Sequence, residues 1–213
     1  MGLVKRDQKK QSADMVGERR KRIRDFVGLV KGLSDPDPTV RRWCARDLAV
    51  FSEASKHLVE QLKKEEDKSV KEVIVTTLIR IGNKEAVQGL IECLRSDDAH
   101  LRNASIEALK HLPHKVSPVM EQLLKDKDPD IRIFAINILE SLKDERVEDW
   151  LIYVIENDPH INVCGTALDL LTEVGTEKAL PSIAKVKERF NNPYINYVAD
   201  IAVRRIRGAE ENE

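Results

Sequence analysis

Aromatic side chains make up only 4% of this 213-residue chain, and glycine occurs 9 times. A charge-rich, aliphatic sequence with so few aromatics and glycines reads as helical rather than β-rich. Cysteine is also sparse. Cys44, Cys93 and Cys164 form no CxxC pair, and an odd count argues against a disulfide framework and for a reducing, cytoplasmic setting. Each lies among apolar neighbours, so all three are expected to be buried thiols. No run of about eighteen apolar residues occurs, so no membrane span is expected. The N-terminus is basic but has no apolar h-region, so no signal peptide is expected. Gly2 is followed by Arg6 where a myristoylation site wants Ser or Thr. There is no glycine-rich phosphate cradle and no nucleophile elbow. His57, His100, His111, His114 and His160 are the only histidines, and none precedes a Glu. His111 and His114 flank Pro113 and read as a surface loop rather than a metal site. No catalytic residue, cofactor or metal ligand is assigned.

What the chain does have is a period. Val40, Val70, Leu101, Ile131, Val163 and Ile195 each open a helix-like stretch after a polar turn, with gaps of 30, 31, 30, 32 and 32 residues. A repeat of that length means stacked supersecondary units. Each unit splits into two amphipathic stretches, as in Leu58, Leu62, then Val70, Ile74, Leu78 and Ile81. In the first unit the same reading assigns Ile23, Val27 and Val30 to the core. No such helix can hide its apolar stripe alone, so stacking must supply a shared core.

The turns carry helix-start chemistry: Asp35-Pro36-Asp37-Pro38, Asp97-Asp98, Asp128-Pro129-Asp130 and Asn157-Asp158-Pro159. Asp caps the free N–H groups and suits the positive helix end, and Pro is at ease in the first turn. Gly82 and Gly175 fall where a helix C-terminus wants a left-handed residue. Three residues before the opener stand Asp37, Asp67, Asp98 and Asp128; one residue after it stand Arg41, Lys71, Arg102 and Arg132. This spacing predicts a charge ladder linking successive turns. His160 with Cys164, and Asn192 with Asn196, break it in the last two repeats.

The net charge of −1 hides an asymmetry: residues 1–24 carry nine basic side chains against Asp7, Asp14 and Glu18, so the rest of the chain is acidic by about seven charges. The organisation expected is a basic arm or cap over 1–22, a helical solenoid over 23–207 and an acidic tail over 208–213.

The motifs Asp35-Pro36-Asp37-Pro38-Thr39-Val40-Arg41 and Asp128-Pro129-Asp130-Ile131-Arg132, with the unit ends Leu78-Ile79-Arg80-Ile81-Gly82 and Leu171-Thr172-Glu173-Val174-Gly175, resemble the HEAT-repeat family. The likeness is to its short prokaryotic, phycobilisome-lyase HEAT-like subtype and covers roughly 23–207. It implies an all-α, right-handed α–α superhelix of about six helical hairpins. It leaves function open, because the family hosts scaffolds, lyase subunits, metalloenzymes and DNA-repair proteins. The di-iron hydroxylases of this type need repeated His-Glu pairs, which are missing.

In such a solenoid the second helices line the inner face, exposing positions two, six and nine after the opener. These read Arg42, Arg46, Ala49; Glu72, Thr76, Ile79; Asn103, Glu107, Lys110; Ile133, Asn137, Glu140; Gly165, Asp169, Thr172; and Tyr197, Ile201, Arg204. Phosphate binding wants a continuous basic stripe. This face is basic only in its first repeat, and mixed polarity with isolated apolar anchors suits a protein partner better. The candidate protein-binding residues are Arg42, Trp43, Arg46, Glu72, Asn103 and Glu107. Trp43 serves as a hot spot only if exposed; packing against the N-terminal helix is its other reading. The function expected is a non-enzymatic, cytoplasmic scaffold or adaptor for another protein. The family resemblance adds prokaryotic signalling, chemotaxis-like assemblies as a setting. The alternatives are a nucleic-acid-binding or repair protein and a bilin-lyase-like subunit.

Overall fold

A computed structural model describes residues 25–210. The basic arm and the last three residues of the acidic tail lie outside the described residues. The chain divides into two compact units between Ala108 and Leu109. Every described element is helical, and in chain order they make six hairpins of a first and a second helical arm.

The first unit contains α1 (Phe26–Gly32), α2 (Pro38–Asp47), α3 (Ser55–Lys64), α4 (Lys68–Ile81), α5 (Lys84–Cys93) and most of α6 (Ala99–Lys110). First helix packs on first helix (α3 on α5) and second on second (α2 on α4), while α1 packs on α2 and α3 on α4 within their hairpins. The second unit is built alike. Its elements are α7 (Pro113–Val116), α8 (Met120–Leu124), α9 (Pro129–Leu139), α10 (Val147–Asn157), α11 (Ile161–Val174), α12 (Leu180–Phe190) and α13 (Pro193–Glu210). Here α9 packs on α11, α11 on α13, and α10 on α12. The first helix of the fourth hairpin is broken into α7, a 3-10 turn over Ser117–Val119 and α8. Pro118 inside that turn cannot donate an intrahelical hydrogen bond, which is reason enough for the break.

All six openers are the third residue of a second helix, and all are buried to 3% exposure or less. Each such side chain contributes roughly 1.5–3 kcal/mol by leaving water. The three cysteines are buried and unpaired with one another. The first hairpin departs from the sequence pattern: Val27 is 74% exposed, and Leu29 and Leu33 fill the core instead. The seven-residue α1 starts late, capped by Asp25, and its short stripe turns those two leucines inward. Gly82 adopts φ 53° at the end of α4, and its N–H donates to Leu78 O, as a left-handed C-cap should. Gly175 does not: it is extended, at φ −73°. A Cβ there would meet the Leu171 carbonyl oxygen at 2.5 Å, so closeness to the helix end, rather than a left-handed turn, calls for glycine.

Candidate protein-binding face

The turns decide which charges stay free. In five successive hairpins the side chain five residues before the opener accepts from the backbone N–H two residues on. Asp35, Glu65, Ser96, Asp126 and Asp158 hold the N–H groups of Asp37, Asp67, Asp98, Asp128 and His160 in this way. The acids three before the opener are N-caps: Asp37, Asp98 and Asp128 accept from Thr39, His100 and Asp130 N–H, and Asp67 from Val70 N–H. The basic residue after the opener donates back to its own turn, Arg41 to Asp35 O, Arg102 to Ser96 O and Arg132 to Asp126 O.

The ladder therefore exists, but its acids differ from those the spacing singled out. Arg41 makes a two-pronged pair with Glu65 at 2.8 and 2.7 Å, and Arg132 with Asp158 at 2.5 and 2.9 Å. Lys71 does reach a cap acid, Asp98, at 2.8 Å. Burial pushes the Glu65 carboxyl up, yet hydrogen bonds from Arg41, Gln61 and the Asp67 N–H outweigh it and hold it at about 2. The Asp98 carboxyl is likewise held low, chiefly by Lys71.

The break in the ladder at the fifth hairpin is bridged by other means. Cys164 stands where Arg would, and its thiol faces the same acceptor, Asp158 O, at 3.4 Å. Arg189 of α12 fills the remaining space, donating to Ile155 O, Glu156 O and the Cys164 sulfur. Burial pushes the Cys164 thiol up to about 11, so it stays protonated there.

Of the candidate residues, Arg42, Arg46, Glu72, Asn103 and Glu107 are all exposed, on α2, α4 and α6 of the first unit. Arg42, Arg46, Glu72 and Asn103 make no side-chain hydrogen bond or ion pair among the described residues. Trp43 corrects the hot-spot expectation: it is 5% exposed and lies in the core beneath that surface, its indole N–H buried without a partner. As a +3 residue of α2 it points between the helices, while +2 and +6 point out. Ile79, Ile133 and Ile201 are half-buried rather than free anchors. The pattern reading named Tyr197 and Asp169 as exposed positions but missed Tyr194, because that residue precedes the opener and lies outside the +2, +6, +9 frame. Among the described residues no helix is long and apolar enough to cross a membrane.

Two-layer stacking, a thirty-residue period and a turn motif repeated in five hairpins now stand together. A sequence profile of HEAT repeats matches residues 26–110 and 116–203. The chain belongs to the HEAT-repeat family. Its HEAT repeats are similar to the bilin biosynthesis protein PecE of Nostoc sp. (strain PCC 7120 / SAG 25.82 / UTEX 2576), 28% identical over 127 residues, 58% of this chain and 49% of PecE. The chain thus spans about half the length of that curated relative. Among solved structures, the archaeal HEAT-like repeats protein from Thermococcus onnurineus NA1 is 17% identical, with a TM-score of 0.42 over 90% of this chain and 93% of that one. The complex of CpcE and CpcF of phycocyanin lyase from Nostoc sp. PCC7120 includes a chain 17% identical, with a TM-score of 0.35 over 82% of this chain and 92% of that one. Neither likeness bears on function.

Proposed function

We propose that this HEAT-repeat chain is a non-catalytic, cytoplasmic scaffold that holds another protein on the second-helix face of its first unit. One observation carries the reading. The turns consume Arg41, Lys71 and Arg132 in ion pairs, whereas Arg42, Arg46 and Glu72 stand exposed and unpaired on neighbouring helices. Opposite charges interspersed over a rigid layer favour a protein surface of complementary pattern over a uniform polyanion. Membership of a prokaryotic signalling assembly is a narrower form of this proposal, supported by the resemblance of the repeats alone. Fluorescence anisotropy with labelled duplex and single-stranded DNA, at several salt concentrations, tests the choice of partner class. The scaffold reading expects weak binding with no steep salt slope; micromolar or tighter binding that collapses with salt overturns it.

The match to PecE favours a second reading, a part in bilin chemistry. Mixing the purified chain with a free bilin separates the two. A persistent shift of the pigment's absorption band supports the second reading, and an unchanged spectrum removes it.

A further inference from the structure

The second unit exposes a different chemistry on its second-helix layer. At Gly165 of α11 a Cβ would come within 2.5 Å of the Tyr194 hydroxyl oxygen, 2.6 Å of its Cε1 and 2.9 Å of its Cζ. The missing Cβ therefore lets the Tyr194 ring lie against α11. Asp169 stands one helical turn beyond Gly165 on the same face. Burial raises the Tyr194 phenol pKa first, and the nearby Asp169 charge raises it further. Asp169 is an exposed residue whose carboxyl is pushed up by the part of its hydration lost to the helices around it. Tyr197 follows one turn after Tyr194 on α13; the two rings are 65% and 45% exposed, Tyr197 the more so.

None of these polar groups is satisfied from within. Among the described residues the Asp169 carboxylate has no hydrogen bond or ion pair, and the two phenol hydroxyls have no partner. On the adjoining helices Lys187 of α12 pairs with Asp200, and Arg204 of α13 donates its Nε to Asp200 O. A carboxylate that has lost part of its hydration without gaining a cation is unfavourable, and a partner cation reverses that sign. The group that meets both features is a guanidinium. It is flat enough to lie on a phenol ring and offers paired N–H donors to a carboxylate.

We propose that Asp169, Tyr194 and Tyr197 form a docking site for an arginine side chain presented by a partner protein. It goes beyond the face of the first unit and stands or falls separately from it. The partner segment lays its arginine across Tyr197 with the guanidinium on Asp169, and the Tyr194 hydroxyl borders the seat.

The test is an amide-detected NMR titration of the isotope-labelled full chain with acetyl-Gly-Gly-Arg-Gly-Gly-amide, alongside the same peptide carrying Lys or neutral citrulline. Saturable shifts of the Gly165, Asp169 and Tyr197 amides are expected with the Arg peptide, weaker shifts with Lys, and about ten-fold weaker binding with citrulline. Asp169→Asn should weaken the Arg peptide about ten-fold, Tyr197→Ala by a smaller factor, and Arg42→Glu with Arg46→Glu not at all. No shifts with up to about 10 mM Arg peptide, or shifts that Asp169→Asn leaves unchanged, overturn the proposal. Sedimentation of wild type and Asp169→Asn completes the test. If only wild type self-associates, the arginine comes from a second copy of this chain and the partner-protein assignment fails.

Discussion

Glu65 shows how a single side chain joins two repeats. Its carboxylate, 1% exposed, accepts from Arg41 of the preceding hairpin, from Gln61 one turn back and from the turn N–H groups after it. Glu65→Ala leaves Arg41 and the turn N–H groups without their acceptor, and should cost about 3 kcal/mol in urea denaturation. Titration should reveal the same bond. The folded carboxyl sits at about 2 against a usual 4.5, so its stabilisation is fully present above pH 4.5 and disappears as pH falls towards 2. Glu65→Gln should flatten that part of the curve of melting temperature against pH; an unchanged slope would show that Glu65 does not set it. Gly82, at φ 53°, offers a second residue-scale test: Gly82→Ala should destabilise by about 1 kcal/mol in the same assay. The left-handed cap was legible at Gly82 but misread at Gly175, because sequence marks where glycine is needed without saying whether φ or closeness requires it. Trp43 was ambiguous for a similar reason: the one-residue step from Arg42 to Trp43 crosses from surface to core, and only the packing of α2 fixes which side of the line it takes.

At the scale of the element, the second helix begins the same way in the first four hairpins, with an opener in the core, an Asp at its cap and a second acceptor two residues earlier. In the fifth, His160 takes the cap place without a side-chain bond and Asp158 remains the acceptor. The caps were readable from spacing because capping is local. The ladder was readable only in part, because its rungs cross from one repeat to the next. The spacing singled out the acids three before each opener, whereas Arg41 and Arg132 reach acids five before the next one, 24 and 26 residues on. Arg189 was invisible to it, since nothing periodic marks a residue of α12 as the replacement donor for the turn before α11. Two variants separate cap from rung. Asp37→Ala removes a cap on an exposed turn and should cost about 1 kcal/mol. Asp158→Ala leaves Arg132, with its side chain 8% exposed, buried without its acid, and should cost about 3–5 kcal/mol. Equal losses in chemical denaturation would mean that the rung contributes nothing beyond a cap.

For the whole molecule, repetition gives two compact units whose turns are self-satisfied and whose second-helix layers differ in chemistry. The first presents unpaired charges of both signs, the second a carboxylate bordered by tyrosines. The period made the six hairpins and their core plain, because burial at three- and four-residue spacing is what the stack demands. The working surface was only half legible: the exposed offsets follow from the helix, but the Tyr194 ring reaches that layer from the residue before an opener and settles where Gly165 leaves room. The two readings of the first face differ in what recognises it, so its arginines are the decisive residues.

Quantitative capture from native lysate addresses this most directly, with wild type, Arg42→Glu/Arg46→Glu and a Lys84→Glu control on the first-helix layer as baits of matched helicity and melting temperature. The scaffold account predicts that one specific protein partner is retained by wild type and by the control and lost with the double reversal. Equal recovery of every protein by all three baits would contradict it.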